Sequence, residues 1–269
     1  MPAKTLSFLN FKGGVGKTST TALTSYNLAK LGYKVLAIDF DPQANLTALF
    51  LKTKSNSADD IITIDRSLMT AINDDLPLSD ITIPIMDNLT LVPNAVDFSM
   101  YNRYLDRNIS SEQGKVAYFK QKIEPLKSDY DFIFIDVPPT ISLPNDTAFY
   151  ACDQIVVVLQ TQERSLSGAE TLIKYLQDTI VNEFNSSVDI MGILPVLSKR
   201  DARVDEEILN AAIAEFGDDN VFAAKIMQME RIKRMDMTGI TDNEKDVWDC
   251  RVHKAFSGVA KEIIGRLGE

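Results

Sequence analysis

The chain sets Lys12-Gly13-Gly14-Val15-Gly16-Lys17-Thr18 between a candidate strand at residues 5–10 and a stretch whose Ala22, Leu23, Tyr26 and Ala29 fall at helical spacing. Few segments restrict a fold as much. Glycines let consecutive backbone N–H groups turn toward one anion with no Cβ in the way. A helix that opens directly after the turn adds its partial positive end. The segment reads as a phosphate loop at a strand-to-helix junction, a context that belongs to open α/β sheets. The candidate phosphate cradle is Gly13, Gly14, Val15, Gly16, Lys17, Thr18 and Ser19. Lys17 offers a full positive charge to β- and γ-phosphates, and Thr18 offers a hydroxyl to Mg2+.

The rest of the pattern agrees. Strands are expected at residues 5–10, 34–39, 89–92, 132–136, 155–159, 189–194 and 221–226. Several are unbroken apolar runs, such as Phe132-Ile133-Phe134-Ile135, which suit strands buried on both faces. Helices are expected after the loop, ending near Gly32, and at 165–184, 205–216 and 247–267. Strand and helix in alternation predict a doubly wound, mostly parallel α/β sheet with helices on both faces, in one domain over residues 1–269. Residues 53–115 carry Asn73-Asp74-Asp75, Pro77, Pro84 and Pro93 as breakers, so short helices and loops are expected there.

Composition closes other routes. Cys152 and Cys250 form no CxxC, and His253 is the sole histidine, so a zinc ribbon, a disulfide framework and a multi-histidine centre are excluded. No apolar run approaches membrane-spanning length, and Met1-Pro2-Ala3-Lys4 lacks a leader's apolar core, so a cytoplasmic address is expected. The net charge of −10 argues against coating nucleic acid or an anionic membrane wholesale, but leaves room for local basic patches.

Two further segments carry acids where a strand ends. Asp39 and Asp41 in Asp39-Phe40-Asp41-Pro42-Gln43 share one side of an extended chain. Asp136 closes the apolar run at 132–136 and suits a hard cation, held through water.

The loop departs from the standard pattern, with Phe11 where glycine is usual and a second lysine at Lys12. In this it resembles the deviant Walker A loop of the family of ParA, MinD, Soj and nitrogenase iron protein. Asp39-Phe40-Asp41-Pro42-Gln43 resembles the D-x-D-P-Q segment of its ParA-like members, Asp136-Val137-Pro138-Pro139 the family's D-x-P-P run, and Gln160-Thr161-Gln162-Glu163 the Q-x-E segment of ParA proteins. The resemblance implies a deviant Walker A P-loop ATPase using ATP and Mg2+. It implies an ATP-sandwich homodimer in which Lys12 acts in trans and Lys17 in cis. Asp41 would position or activate the attacking water, and Asp39 would lie near Mg2+ with Thr18 and Asp136.

Missing features narrow the branch. Cluster cysteines, a CxxC, a second loop and a tyrosine-rich tail are absent. The resemblance then implies a ParA/Soj-type partition protein. Its ATP dimer would bind non-specific DNA, associate with the nucleoid, and let go after hydrolysis stimulated by a ParB-like centromere-binding partner. Basic clusters fit: Lys199, Arg200 and Arg203; Arg231, Lys233 and Arg234 within residues 225–234; Arg251 and Lys254 within 251–266. Two alternatives stand beside it, a MinD-like membrane-cycling regulator and a small-molecule enzyme of the dethiobiotin synthetase type. The last helical stretch reads better as packing on the sheet than as a membrane helix, so membrane contact is not expected. Ile226-Met227-Gln228 replaces the family's I-P-R run near adenine, leaving the base pocket unassigned. The loop begins at residue 12, so the operator-binding helix-turn-helix of larger relatives, and autorepression with it, is not expected.

Overall fold

The computed structural model describes residues 2–55, 63–161, 165–198 and 203–268. One eight-stranded sheet runs through them: β1 (Lys4–Leu9), β2 (Val35–Asp39), β3 (Ile83–Met86), β4 (Leu89–Val92), β5 (Phe132–Asp136), β6 (Gln154–Gln160), β7 (Asp189–Ser198) and β8 (Ile226–Met227). Their order is β3-β4-β2-β5-β1-β6-β7-β8. Every pairing is parallel except β3 with β4.

Alternation along the strands builds two cores. Phe132 and Phe134 of β5 face one side with Leu6 and Phe8, under α1 (Lys17–Lys30), α2 (Asn45–Lys54) and α10 (Val247–Leu267). Ile133 and Ile135 face the other with Leu9 and Leu36. That side is covered by α3 (Leu68–Asn73), α4 (Tyr101–Asn108), α5 (Glu112–Ile123), α6 (Leu143–Ala151) and α7 (Ser165–Tyr175), with α8 (Arg203–Phe216) adding Ala212. Strands apolar on both faces are what a sheet covered twice requires. The remaining helix, α9 (Glu230–Thr238), packs beside α2 and α10.

Several expectations need correction. β3 falls in the stretch read as irregular. Pro84 reads as a breaker, yet β3 is an edge strand, where a missing N–H costs no ladder bond on the solvent side. The strand expected at 221–226 is reduced to two residues, Ile226–Met227: Val221 makes only an isolated bridge to Ile193, and the ladder with β7 uses Ile226 and Met227. The helix expected at 165–184 is α-helical only to Tyr175. It continues as π-helix from Leu176 to Glu183, ending on a Phe184 N–H bond to the Thr179 carbonyl.

The chain winds from β1 to β2 on one side, returns through β5, and crosses β1 to reach β6 on the other. The winding reverses at β1, and open sheets bind ligands in the crevice off the carboxyl ends of the strands at such a point. Phe11 to Gly16 follow β1 at this position.

Candidate functional site

The loop after β1 is built for an anion. Gly14 and Gly16 take φ of 72° and 85°, the left-handed region that L side chains rarely enter. Gly16 caps α1 with no side-chain hydrogen bond, and the first turn of α1 holds no acidic residue. Its first N–H groups therefore lack a side-chain partner and stand ready for an external acceptor. Lys12, Gly13 and Gly14 face solvent, whereas Val15 is buried and anchors the loop in the α1-side core. Gly13 lies against Pro139, so the loop after β5 borders the loop after β1.

The carboxylates arrive from the neighbouring strands. Asp39 and Asp136 are register partners at the ends of β2 and β5. Both are buried. Asp39 accepts from the Thr47 N–H at 2.8 Å and the Asp41 N–H at 3.1 Å. Asp136 accepts from Thr21 Oγ1 at 3.4 Å and from the Thr18 side chain. Asp41 is held by its own turn: its Oδ1 accepts from the Gln43 N–H at 2.9 Å, and its carbonyl from Ala44 N–H at 2.9 Å and Asn94 Nδ2 at 3.3 Å.

Burial sets the electrostatics. It pushes the Asp136 carboxyl up to about 8, with the charge of Asp39 adding to the rise and Thr18 and Lys17 opposing it. Asp39 is pushed up to about 6 for the same first reason. Lys17, 6 % exposed, is pulled below the ordinary lysine value by burial, while Asp136 and Asp41 pull it back. Asp136 and Asp41 thus act on one buried lysine, with Asp39 beside Asp136, and a cation among them would favour their ionised forms. The donors at hand are the Thr18 hydroxyl and carboxylate oxygens, the hard oxygen set that suits Mg2+.

The two lysines of the loop diverge. Lys17 Nζ turns inward and donates to the Lys12 carbonyl at 3.3 Å. Lys12 is exposed, and its Nζ reaches Gln160 Oε1 at 3.1 Å, at the end of β6. Asn10 ties this together. Its Nδ2 donates to the Val158 carbonyl at 2.6 Å and its Oδ1 accepts from the Lys12 N–H at 2.8 Å.

Asn10, Thr21, Thr47 and Asn94 are absent from the expected site. Thr21 had a signal, standing one helical turn beyond Thr18 on the same face. Asn10, Thr47 and Asn94 act on residues remote in sequence or through the backbone, and no spacing rule reaches them. Gln162, Glu163, Lys199 and Arg200 lie outside the described residues.

The other expected cations fall into groups. Arg203 begins α8 and pairs with Glu207 at 3.2 Å, and Lys233 pairs with Glu230 at 2.7 Å. Arg231 is drawn inward: its Nε lies 2.5 Å from Asp249, which is 1 % exposed, and Nη2 lies 2.9 Å from Thr241 Oγ1 and 3.4 Å from Asp246. Arg231, Arg234, Arg251 and Lys254 share one groove between α9 and α10.

Comparison with known proteins places this geometry. A family described as an AAA domain matches residues 3–190. The chain is 26% identical to the chromosome-partitioning ATPase Soj of Treponema pallidum, over 99% of both chains. It is 30% identical to the sporulation initiation inhibitor protein Soj of Bacillus subtilis, over 75% of each. Among solved structures, cobyrinic acid a,c-diamide synthase of Mycobacterium smegmatis, with an ATP analog and magnesium bound, superposes with a TM-score of 0.79 at 21% identity, covering 98% of this chain and 95% of that one. At that identity the likeness speaks to the fold alone. With a family model over residues 3–190 and two Soj proteins matched along most of its length, the chain belongs to the ParA/Soj family of partition ATPases.

Proposed function

We propose that this partition ATPase works as an ATP-sandwich homodimer that holds non-specific DNA while ATP is intact and lets go after hydrolysis. The observation that carries the reading is the divergence of two lysines in one loop. Lys17 is buried against Asp136 and Asp41, and Lys12 is exposed at the rim. One loop thereby offers an inward cation to its own nucleotide and an outward one to a facing subunit.

The residue roles follow from position. Backbone N–H groups of Gly13 to Ser19 and the start of α1 take the phosphates, and Lys17 neutralises the β- and γ-oxygens. Thr18, with Asp136 and Asp39 nearby, would hold Mg2+, which would supply charge neutralisation at the phosphates. Asp41, exposed enough to meet solvent and fixed by Gln43, Ala44 and Asn94, orients the water that attacks the γ-phosphorus as the bond to the β–γ bridging oxygen breaks. Lys12 of the facing subunit stabilises the charge that develops, the task an arginine finger performs elsewhere. A ParB-like centromere-binding partner would accelerate that step. Arg203, Lys233, Arg234, Arg251 and Lys254 give the dimer cations for DNA phosphates. Arg231 contributes less, because Asp249 and Asp246 already hold it.

This reading keeps the chain as one domain working in the cytoplasm at the nucleoid. The membrane-cycling alternative would need the apolar face of α10 free to lie on a bilayer. Among the described residues no helix is long and apolar enough to cross a membrane. The apolar stripe of α10 (Val252, Phe256, Val259, Ala260 and Ile263) is already buried in the core.

Light scattering of the purified protein with ATP, ADP or no nucleotide tests the proposal. A dimer with ATP alone is expected, and Lys12→Ala should stay monomeric while still binding nucleotide. Full ATP-dependent dimerisation of Lys12→Ala would remove the trans role.

A further inference from the structure

The groove between α9 and α10 shares no residue with the phosphate loop or the strand-end acids, while Met227 and Gln228, from the run that stands where relatives carry their adenine-side segment, help to line it. It encloses about 900 Å³. One wall is a stripe of α10, Trp248, Arg251, Ala255 and Gly258, which spacing puts on a single helical face. At 1.5 Å per residue the stripe runs about 15 Å. Its far end is open, because a Cβ added at Gly258 would meet nothing within 4 Å. The opposite wall brings Met227 and Met229, and Arg231 is pinned in place by Asp249. The rim carries Lys225, Arg234, Arg251 and Lys254. Among the described residues none of these four is in an ion pair with a carboxylate.

Trp248 stands out in this setting. It is 60 % exposed, a large aromatic left in water. The Arg251 guanidinium lies over its ring, 5.0 Å from the centroid. A guanidinium flat on an indole keeps its N–H groups at the edge, where they can meet phosphate. A basic groove with an exposed aromatic face is the arrangement that binds single strands: cations follow the backbone and a base stacks on the ring. A paired base hides its faces within the duplex stack and cannot use the indole.

We propose that this groove is a binding site for single-stranded DNA, in which an unpaired base stacks on Trp248 and flanking phosphates meet Arg251, Lys254 and Arg234. The inference rests on the DNA-binding reading above and adds a preference to it. Duplex DNA engages only the rim cations, whereas an unpaired strand engages the rim and the indole.

Trp248 is the only tryptophan of the chain, so its emission reports on the groove alone. The test titrates the full chain, with Mg-ATP, against single-stranded oligothymidylate and against a duplex of equal length. Single strand should quench the Trp248 emission and bind more tightly than duplex. Trp248→Ala should weaken single-strand binding by about tenfold and leave duplex binding unchanged. Trp248→Phe should recover most of the loss, since a ring face is what the base needs. Unchanged emission at saturating single strand would overturn the inference. So would equal weakening of both DNA forms by Trp248→Ala. If duplex binds with ATP but shows no disadvantage to single strand, the groove proposal fails and the DNA reading survives. If a verified ATP dimer binds neither form, both fail.

Discussion

The carboxyl end of the sheet and the α9–α10 face carry the same kinds of charged side chain and treat them in opposite ways. At the sheet end Asp39, Asp136 and Lys17 are all but removed from water. Each charge there is felt by the others through a poorly screening interior, and burial moves every one of them from its ordinary value. On the α9–α10 face Arg234, Arg251 and Lys254 stand in solvent, where water and salt screen them. The first region concentrates its effect in single residues. The second spreads it over many, each worth little alone. Substitutions should therefore be drastic at one and graded at the other.

The largest effect is expected for Lys17→Ala. It removes the buried cation facing Asp136 and Asp41, and ATP turnover should fall by ~10³-fold or more. Calorimetry should show nucleotide binding lost as well. A variant that kept near-normal affinity would break the contrast at its strongest point.

Asp136→Asn should separate function from stability. Turnover should fall by about 10²-fold as a charged oxygen donor for Mg2+ is lost. The nucleotide-free protein should become more stable, because the asparagine carries no buried charge. Folding raises Asp136 from 3.8 to about 8 and Asp39 to about 6, so the folded state holds protons that the unfolded chain has released. The stability these two groups contribute is complete below 3.8 and is lost as pH rises through about 6 and then about 8. Thermal melts of wild type and Asp136→Asn across this range should diverge steadily, with the variant ahead at high pH. Parallel curves would mean that the pair is not strained by charge.

Asn10→Ala tests whether the loop needs its tie to β6. Two hydrogen bonds of a buried amide disappear, a cost of about 1–3 kcal/mol in stability. ATP-dependent dimerisation should suffer more than nucleotide binding, because the Lys12 backbone loses its anchor. Equal loss of both would make Asn10 a packing residue only.

The smallest effects belong to the α9–α10 face. Arg234→Ala or Lys254→Ala should weaken duplex binding by about two- to threefold. Taking one cation away from a DNA phosphate should also lower the slope of log affinity against log salt by about one. A single substitution that abolished binding would show that this face works like the sheet end after all.

The same contrast explains what was legible in the sequence. Strands β4 and β5 and helix α10 have the bounds that their apolar patterning predicts, since burial on both faces writes continuous runs and a long packed helix writes a clear period. The loop and its three acids were visible because strand ends bring local motifs together. Asn94 was not, although its N–H bonds Thr47 Oγ1 at 2.9 Å and its amide reaches the Asp41 carbonyl. Those partners lie about 50 positions away, and only the sheet order unites them. β3 was hidden by Pro84, whose meaning depends on whether a strand lies at an edge. α9 was hidden inside a run that reads first as charge. Its fold shows that Arg231 serves Asp249, while Arg234 faces the groove.

The central claim is that the buried charges at the sheet end control the solvated ones through an ATP dimer. The most direct measurement is fluorescence anisotropy of a labelled non-specific duplex, with Mg2+ and ATP, ADP or no nucleotide, for wild type and Lys12→Ala. Binding by wild type with ATP alone, weakened by salt and absent in Lys12→Ala, is the predicted result. Equal binding in all three nucleotide states, or full binding by Lys12→Ala, would contradict it.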